Sequence, residues 1–362
     1  MNLRHLLQTG ISLLNQLKNS YSGDLVGLDI GTYRLKLIQI NKDNPNFIQH
    51  LAIADLPFGS ISHGEIKQHS SFRLTLKKMF QQQAIQSKII AIAIPHILTI
   101  VKNFFVDSRL SPDEIESRTW LEANSLFPDL VGNIYLDYVA LGPSAETPSR
   151  QEIMIIACRK DQVNPYIFLL KEEGLDGVVV DVDCYVLQRA LLKMPKNHAP
   201  DEKIALLNLD MHLITLIVTK NEALTYVHEQ NYKGHNLLED IKAYLASKQT
   251  PDAALDTLSL SQDQTYFEIM QKDLGPYLHH TMQFFSFTNE SADVKQIYLS
   301  GDLAIIPEID KLIEQLINIK TVVANPFENM EFAKNIDEQQ ARKMAPIFML
   351  SYGLALSKVN TR

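Results

Sequence analysis

A chain of 362 residues, 46% of them hydrophobic, has the length for two or three domains and the composition of an ordinary soluble globular protein. Its 42 acidic residues against 34 basic give a formal net charge of −8, which argues against non-specific nucleic-acid binding. The two cysteines, Cys158 and Cys184, lie inside apolar runs without metal-ligand spacing, and read as reduced core residues of a reducing compartment.

Met1 to Ser20 carries Leu3, Leu6, Leu7, Ile11, Leu14 and Leu17 at helical spacing. This amphipathic lead-in, taken as residues 1–21, packs on its own domain or lies against a partner. Its few positive charges make a poor membrane anchor, and it lacks the apolar core and cleavage site of a signal peptide. The longest uncharged apolar run, Ile89 to Val101, is interrupted by Pro95-His96 and is too short to span a bilayer. A cytoplasmic protein is expected.

Two apolar runs within Val26 to Ile40 are joined by Gly31-Thr32 and read as a β-hairpin. Asp29, at the end of the first strand, has the chemistry to hold a metal-bound water. Gly31 allows close backbone approach, and Thr32 adds a hydroxyl and an N–H. Such a turn cradles phosphate with backbone donors when Mg²⁺ stands between carboxylate and phosphate. An ordinary hairpin turn with a capping aspartate carries the same pattern.

A third strand over Phe47 to Leu56 and an amphipathic helix over Ser70 to Gln83 follow. Lys88 to Ile94 has the near-continuous apolar composition of a strand buried on both faces. Next comes a strand from Ile97 to Asp107, then Ser111-Pro112 with Glu114, a capping box opening a helix to about Leu126. Strands at Ile134 to Leu141 and Glu152 to Cys158, then a helix at Gln162 to Glu173 closed by Gly174, complete a small α+β module. Val178 to Asp183 is again a buried strand, running into a helix over Cys184 to Leu192. Pro195 to Lys203 is the best linker candidate.

The opening hairpin then recurs. Ala205 to Val218 repeats the pattern that starts at Val26 and runs through Ile38, without a gap, about 180 residues later. Asn208 falls on Asp29, Asp210 on Gly31 and Thr215 on Lys36, so the two parts read as a duplicated pair. Helices are expected at Leu237 to Ala246, at Thr265 to Phe287 with an interruption at Gly275-Pro276, at Pro307 to Ile317 and at Met344 to Ser357. Strands are expected at Gln296 to Ser300, ending in Gly301-Asp302, and at Thr321 to Ala324.

From Leu25 to Leu356 the chain resembles the PilM family, the cytoplasmic actin-like proteins of type IV pilus assembly, in the broad class of FtsA, actin and Hsp70. The likeness is carried by Val26-Gly-Leu-Asp-Ile-Gly-Thr32, Ala91-Ile-Ala-Ile-Pro95, Leu121-Glu-Ala123 with Phe127-Pro128, and Leu136-Asp-Tyr138 with Leu141-Gly-Pro143. It continues through Ala157-Cys-Arg-Lys160, Val179-Val-Asp-Val-Asp183, Gln283-Phe-Phe285, Val323-Ala-Asn-Pro-Phe327 and Gly353-Leu-Ala-Leu356.

The resemblance implies an α/β actin-like fold of two RNase H-like lobes about a nucleotide cleft, with an inserted α+β module of FtsA type. The first lobe would comprise 22–98, 175–198 and 344–359, the module 99–174, and the second lobe 199–343. It implies ATP with Mg²⁺ as cofactor, Asp29 reaching the metal through water. The cofactor-binding set carried over is Asp29, Gly31, Thr32, Tyr33, Lys36, Asp183, Asn208, Asp210, Gly234, Gly301 and Asp302. The implied partner is the cytoplasmic N-terminal segment of a PilN-like inner-membrane protein, held in a groove beside the module, where Trp120, Leu121, Leu126 and Phe127 are the candidate contacts. Other platform and motor proteins of the pilus would be neighbours, with no nucleic acid and the membrane met only through partners.

The departures bear on the cofactor. The family's second Asp-Ile-Gly-Ala-Thr stands here as Asn208-Leu-Asp-Met-His212, its Gly-Gly as Lys233-Gly234, and its glycine-rich adenosine loop as Gly301-Asp-Leu303. A carboxylate at Asp210 repels triphosphate unless a cation intervenes. The leading expectation is therefore a scaffold that binds ATP weakly or not at all. The alternatives are a slow ATPase with Asp29 and Asp183 as its Mg²⁺-side carboxylates, or a filament-forming cytoskeletal protein.

Overall fold

The computed structural model describes residues 25–62, 65–126, 128, 132–144, 146–175, 177–195, 202–247, 263–288 and 294–357. The amphipathic lead-in and Phe127 lie outside the described residues. Two compact units emerge, Met1–Arg189 with Ser351–Arg362, and Ala190–Leu350.

In the first unit the hairpin strands β1 (Val26–Ile30) and β2 (Arg34–Ile40) are followed by β3 (Phe47–Asp55), a two-residue ribbon of β4 (Ile61–Ser62) and β5 (Glu65–Ile66), and β6 (Ile89–Ile94). The module strands are β7 (Thr99–Asp107), β8 (Ile134–Pro143) and β9 (Arg150–Arg159), and β10 (Gly177–Val182) returns to the main sheet. Five strands there stand in the order β10-β6-β1-β2-β3. β1 pairs antiparallel with β2, which pairs antiparallel with β3, while β6 runs parallel to both β1 and β10. Strand β6 therefore has neighbours on both edges, and Ile90, Ala91, Ile92 and Ile94 are buried. This is what its continuous apolar run requires.

The second unit repeats that order. Its strands are β11 (Ile204–Leu209), β12 (Leu213–Lys220), β13 (Ala223–Asn231), β14 (Gln296–Ser300) and β15 (Lys320–Val323), arranged β13-β12-β11-β14-β15. Again the hairpin is antiparallel and the last two strands join in parallel. Sequence reading missed β13, because nearly every residue along it is only half-buried and the apolar alternation that marks a strand is blurred.

The module is a three-stranded antiparallel sheet ordered β7-β9-β8, carrying the helices Pro112–Leu126 and Lys160–Glu172. Val106, Ile115 and Ile153 form one core cluster, and Ala123, Ile134 and Ala157 another. The expected capping box is present: Ser111 N–H donates to Glu114 at 2.8 Å, and Glu114 N–H donates back to Ser111 Oγ at 3.4 Å. At the end of the second helix, Arg73 of the helix His69–Gln82 donates to Glu173 at 2.5 Å and lies 3.3 Å from Glu172, fastening the two helices together.

The expected closing helix is two pieces, a 3₁₀ turn at Ala345–Phe348 and an α-helix at Met349–Ala355. Its packing leaves no room for side chains at two glycines. A Cβ on Gly27 would stand 2.2 Å from the Ser351 carbonyl oxygen, and one on Gly353 would stand 2.2 Å from that of Val186. Buried beside them, Arg189 pairs with Asp181 at 2.8 Å and donates to the Gly353 carbonyl at 3.0 Å and to Ser357 Oγ at 2.8 Å. One guanidinium thus ties β10, the helix Asp183–Lys193 and the C-terminal helix.

Both cysteines are buried thiols outside any disulfide. Burial, with the charge of Asp161 beside it, pushes the Cys158 thiol up to about 11. At pH 8 iodoacetamide should leave Cys158 unmodified in the folded protein and alkylate it after denaturation; rapid native labelling, read by peptide mass, would contradict this.

Candidate functional site

The candidate residues fall into two half-sites, one at each hairpin. In the first, the turn closes by Gly31 N–H donating to the Arg34 carbonyl at 3.0 Å. Register places Asp29 opposite Lys36. Their side chains, 7% and 2% exposed, form an ion pair at 3.0 Å. The carboxylate expected to reach a metal is therefore already faced by a buried ammonium. Gly31 has ordinary backbone angles, and a Cβ there would stand 3.0 Å from the Arg34 carbonyl oxygen. Substitution at Gly31 thus crowds the turn whether or not a ligand approaches, so Thr32→Val is the cleaner probe of this hairpin.

Tyr33 is half-buried. Its carbonyl accepts the Leu56 N–H at 2.7 Å, and its ring stands 6.0 Å from that of Phe58. Asp183 begins its helix and accepts from the backbone N–H of His96 at 2.9 Å and of Cys184 at 2.6 Å. One oxygen of the second proposed Mg²⁺-side carboxylate is thus engaged in holding the loop after β6 to the helix start.

The second half-site copies the first in backbone. Asp210 N–H donates to the Leu213 carbonyl at 3.0 Å, and register places Asn208 opposite Thr215, as the overlay of the two hairpins required. The side chains differ in kind. Asn208, 5% exposed, accepts from Ser300 Oγ at 2.8 Å and donates to Asp210 Oδ2 at 2.7 Å. Asp210 Oδ1 accepts the backbone N–H of Asp302 at 3.2 Å. Thr215, where the lysine would stand, is buried, and its hydroxyl finds no hydrogen-bond partner among the described residues.

Two glycines serve this packing. Gly301 has φ +92°, and a Cβ there would meet the Leu209 backbone at 2.6 Å. Only glycine lets the loop after β14 lie on the end of β11. Gly234 opens the helix Gly234–Ser247, donates its N–H to the Met211 carbonyl at 2.9 Å, and has the Tyr232 ring 2.9 Å from where its Cβ would be. Asp302 is buried at the start of a 3₁₀ turn. Ser300 was not singled out from the sequence; a lone serine closing an apolar strand carries no signal until the fold sets it beside Asn208.

Of the partner candidates, Trp120 and Leu126 are half-buried and Leu121 is 59% exposed, all on the helix Pro112–Leu126. Ile97 and Ile100, just before and within β7, are also exposed, at 61% and 44%. Among the described residues no set of three or more His, Cys, Asp or Glu side chains is arranged to hold a metal, and no helix is long and apolar enough to cross a membrane.

A family model described as type IV pilus assembly protein PilM matches residues 27–359. The chain belongs to the PilM family. A chain of the solved PilM–PilN type IV pilus biogenesis complex shares 20% identity, over 93% of this chain and 98% of that one, with a TM-score of 0.74. Weaker likenesses, both at a TM-score of 0.49, are to the ethanolamine utilization protein EutJ from Carboxydothermus hydrogenoformans and to MreB 5 of Spiroplasma citri bound to AMPPNP. The first is 11% identical over 95% of this chain and 94% of that one, the second 12% identical over 92% and 95%. With the doubled sheet order, the PilM likeness makes the fold α/β and actin-like, as the resemblance implied.

Proposed function

We propose that this PilM-family chain is an actin-like scaffold of the type IV pilus inner-membrane platform, and that it holds the cytoplasmic N-terminal segment of a PilN-like membrane protein. The observation that carries the reading is the match, over nearly the full length of both chains, to a chain of a PilM–PilN complex. In this reading the groove lies between the inserted module and the first lobe, supported by the apolar surface of Leu121, Ile97 and Ile100 and by the half-buried Trp120. The protein then sits peripherally at the cytoplasmic face of the inner membrane and reaches the membrane through that partner. Neighbouring platform and motor proteins complete the assembly.

Nucleotide is not required in this reading. The residues present do not fit Mg²⁺–ATP: Asp29 is matched by Lys36, an amide stands at Asn208, and Asp210 brings a negative charge to the turn where the first hairpin has glycine. Titration of the full chain with a synthetic peptide of the partner's N-terminus should give binding heat without ATP and a change in the emission of the chain's one tryptophan. Leu121→Asp should weaken binding by about tenfold or more, since an exposed apolar anchor gives way to a charge. Absence of heat, or a strict need for Mg²⁺–ATP, would overturn the reading.

The slow-ATPase alternative is favoured by one feature, the first hairpin's Asp29, Gly31 and Thr32. It predicts ATP turnover that Thr32→Val abolishes. Asp29→Ala is a poor test, because it leaves Lys36 buried without its partner.

A further inference from the structure

The two hairpins share register and turn bond but distribute charge differently, and the difference is a displacement rather than a loss. In the first, the carboxylate is on Asp29, the turn has Gly31, and Lys36 supplies the cation. In the second, the position of Asp29 is Asn208, the position of Gly31 is Asp210, and Thr215 replaces the lysine. The negative charge has moved two residues along the chain, onto the turn.

Each half of this exchange requires the other. Asn208 receives a hydrogen from Ser300 and gives one to Asp210, which an ionised carboxylate, an acceptor only, cannot do. A carboxylate at this 5%-exposed position would bring two ionised oxygens to the 2.7 Å separation that the amide hydrogen now bridges. Removing the carboxylate from Asp210 instead would strand the Asn208 amide hydrogen and the Asp302 N–H that it accepts from. The Asp302 N–H, at the start of the 3₁₀ turn after β14, faces Asp210 rather than a ligand.

We infer that Asn208 and Asp210 act as one specificity-determining element that closes the second hairpin to Mg²⁺-bound phosphate. This rests on the reading that a nucleotide, if bound, would lie at the hairpin turns. Neither residue can revert alone, and the paired change leaves a buried carboxylate facing Thr215 instead of a lysine, so it should succeed only where Mg²⁺ supplies the cation.

The test uses the full chain carrying Asn208→Asp, Asp210→Gly, Asn208→Asp with Asp210→Gly, and the swap Asn208→Asp with Asp210→Asn. The swap can keep the three hydrogen bonds named above by exchanging donor and acceptor, and guards against variants that merely fold poorly. Thermal midpoints are read at pH 8 and pH 5, and Mg²⁺–ATP binding by calorimetry. Asn208→Asp should lower the midpoint by roughly 5 °C at pH 8. The loss should shrink at pH 5: repulsion raises one folded-state carboxyl pKa above its unfolded value, so protonation favours the folded state as pH falls. Asp210→Gly should also lower the midpoint, and the swap should restore it. Mg²⁺–ATP heat should be absent in the parent and appear in the variant joining Asn208→Asp to Asp210→Gly.

Additive midpoint changes with no recovery in the swap would overturn the coupling. Coupling without any gain of Mg²⁺–ATP binding would overturn the specificity claim, leaving a structural bridge. Binding of Mg²⁺–ATP by the parent, lost in Asp210→Gly, would reverse the sign of Asp210's role. The peptide titration above remains a separate result, so this inference can fail while the scaffold reading stands.

Discussion

Lys36→Met is expected to lower the thermal midpoint by on the order of 10 °C, the equivalent of about 3–5 kcal/mol, by leaving the Asp29 carboxylate buried without its cation. The side chains of both partners are almost wholly inaccessible and lie 3.0 Å apart across the β1–β2 ladder, so water cannot take the lysine's place. Asp29→Asn with Lys36→Thr should recover most of the loss. That neutral combination already stands at the corresponding positions of the second hairpin, Asn208 and Thr215. Replacing both members of a buried pair is far less costly than removing one. Thermal unfolding of the parent, Asp29→Asn, Lys36→Thr and the variant joining the two closes the cycle, with Lys36→Met measured beside it. A Lys36→Met protein within about 2 °C of the parent would show that the pair contributes little and that Asp29 is held by other contacts.

Gly27→Ala should be equally damaging for a different reason. The added methyl would lie 2.2 Å from the Ser351 carbonyl oxygen and 2.5 Å from the Ala355 backbone nitrogen, so the C-terminal helix itself must shift. Overpacking against backbone has no rotamer escape, and a loss of about 3 kcal/mol or more is expected. Gly132→Ala is the matched control: nothing lies within 4 Å of its Cβ position, and its midpoint should stay within about 1 °C. Equal behaviour of the two variants would mean that the C-terminal helix does not press on β1 as described.

Several local features were legible before any fold was known. The apolar run Ile89 to Ile94 read as a strand buried on both faces, and all its residues but Ala93 are buried. The capping box at Ser111 formed because its hydrogen bonds are local, and so did the helix break at Gly275-Pro276. The gapless overlay of the two hairpins placed Asn208 opposite Thr215 and Asp210 in the turn, because a strand's period of two and an identical turn length leave one register. The polar half-buried strand β13 was not legible, since neither face is dry enough to imprint a pattern.

By itself, then, the sequence determined the doubled α/β plan, the strand and helix succession of a small α+β module, and the substitutions that set the second hairpin apart from the first. Those are properties of periodicity and spacing along the chain. Tertiary structure decided what the singled-out side chains touch. Asp29 met Lys36 through a ladder, Asp210 met Asn208 beside it and the Asp302 N–H of the loop after β14, and Arg189 joined Asp181 to Gly353 across nearly half of the chain's length. It also showed that Gly27, Gly301 and Gly353 are needed because backbone lies against backbone there. Charge pairing in a dry interior and contact between distant backbones depend on separations in space, and these exist only once the two sheets have formed.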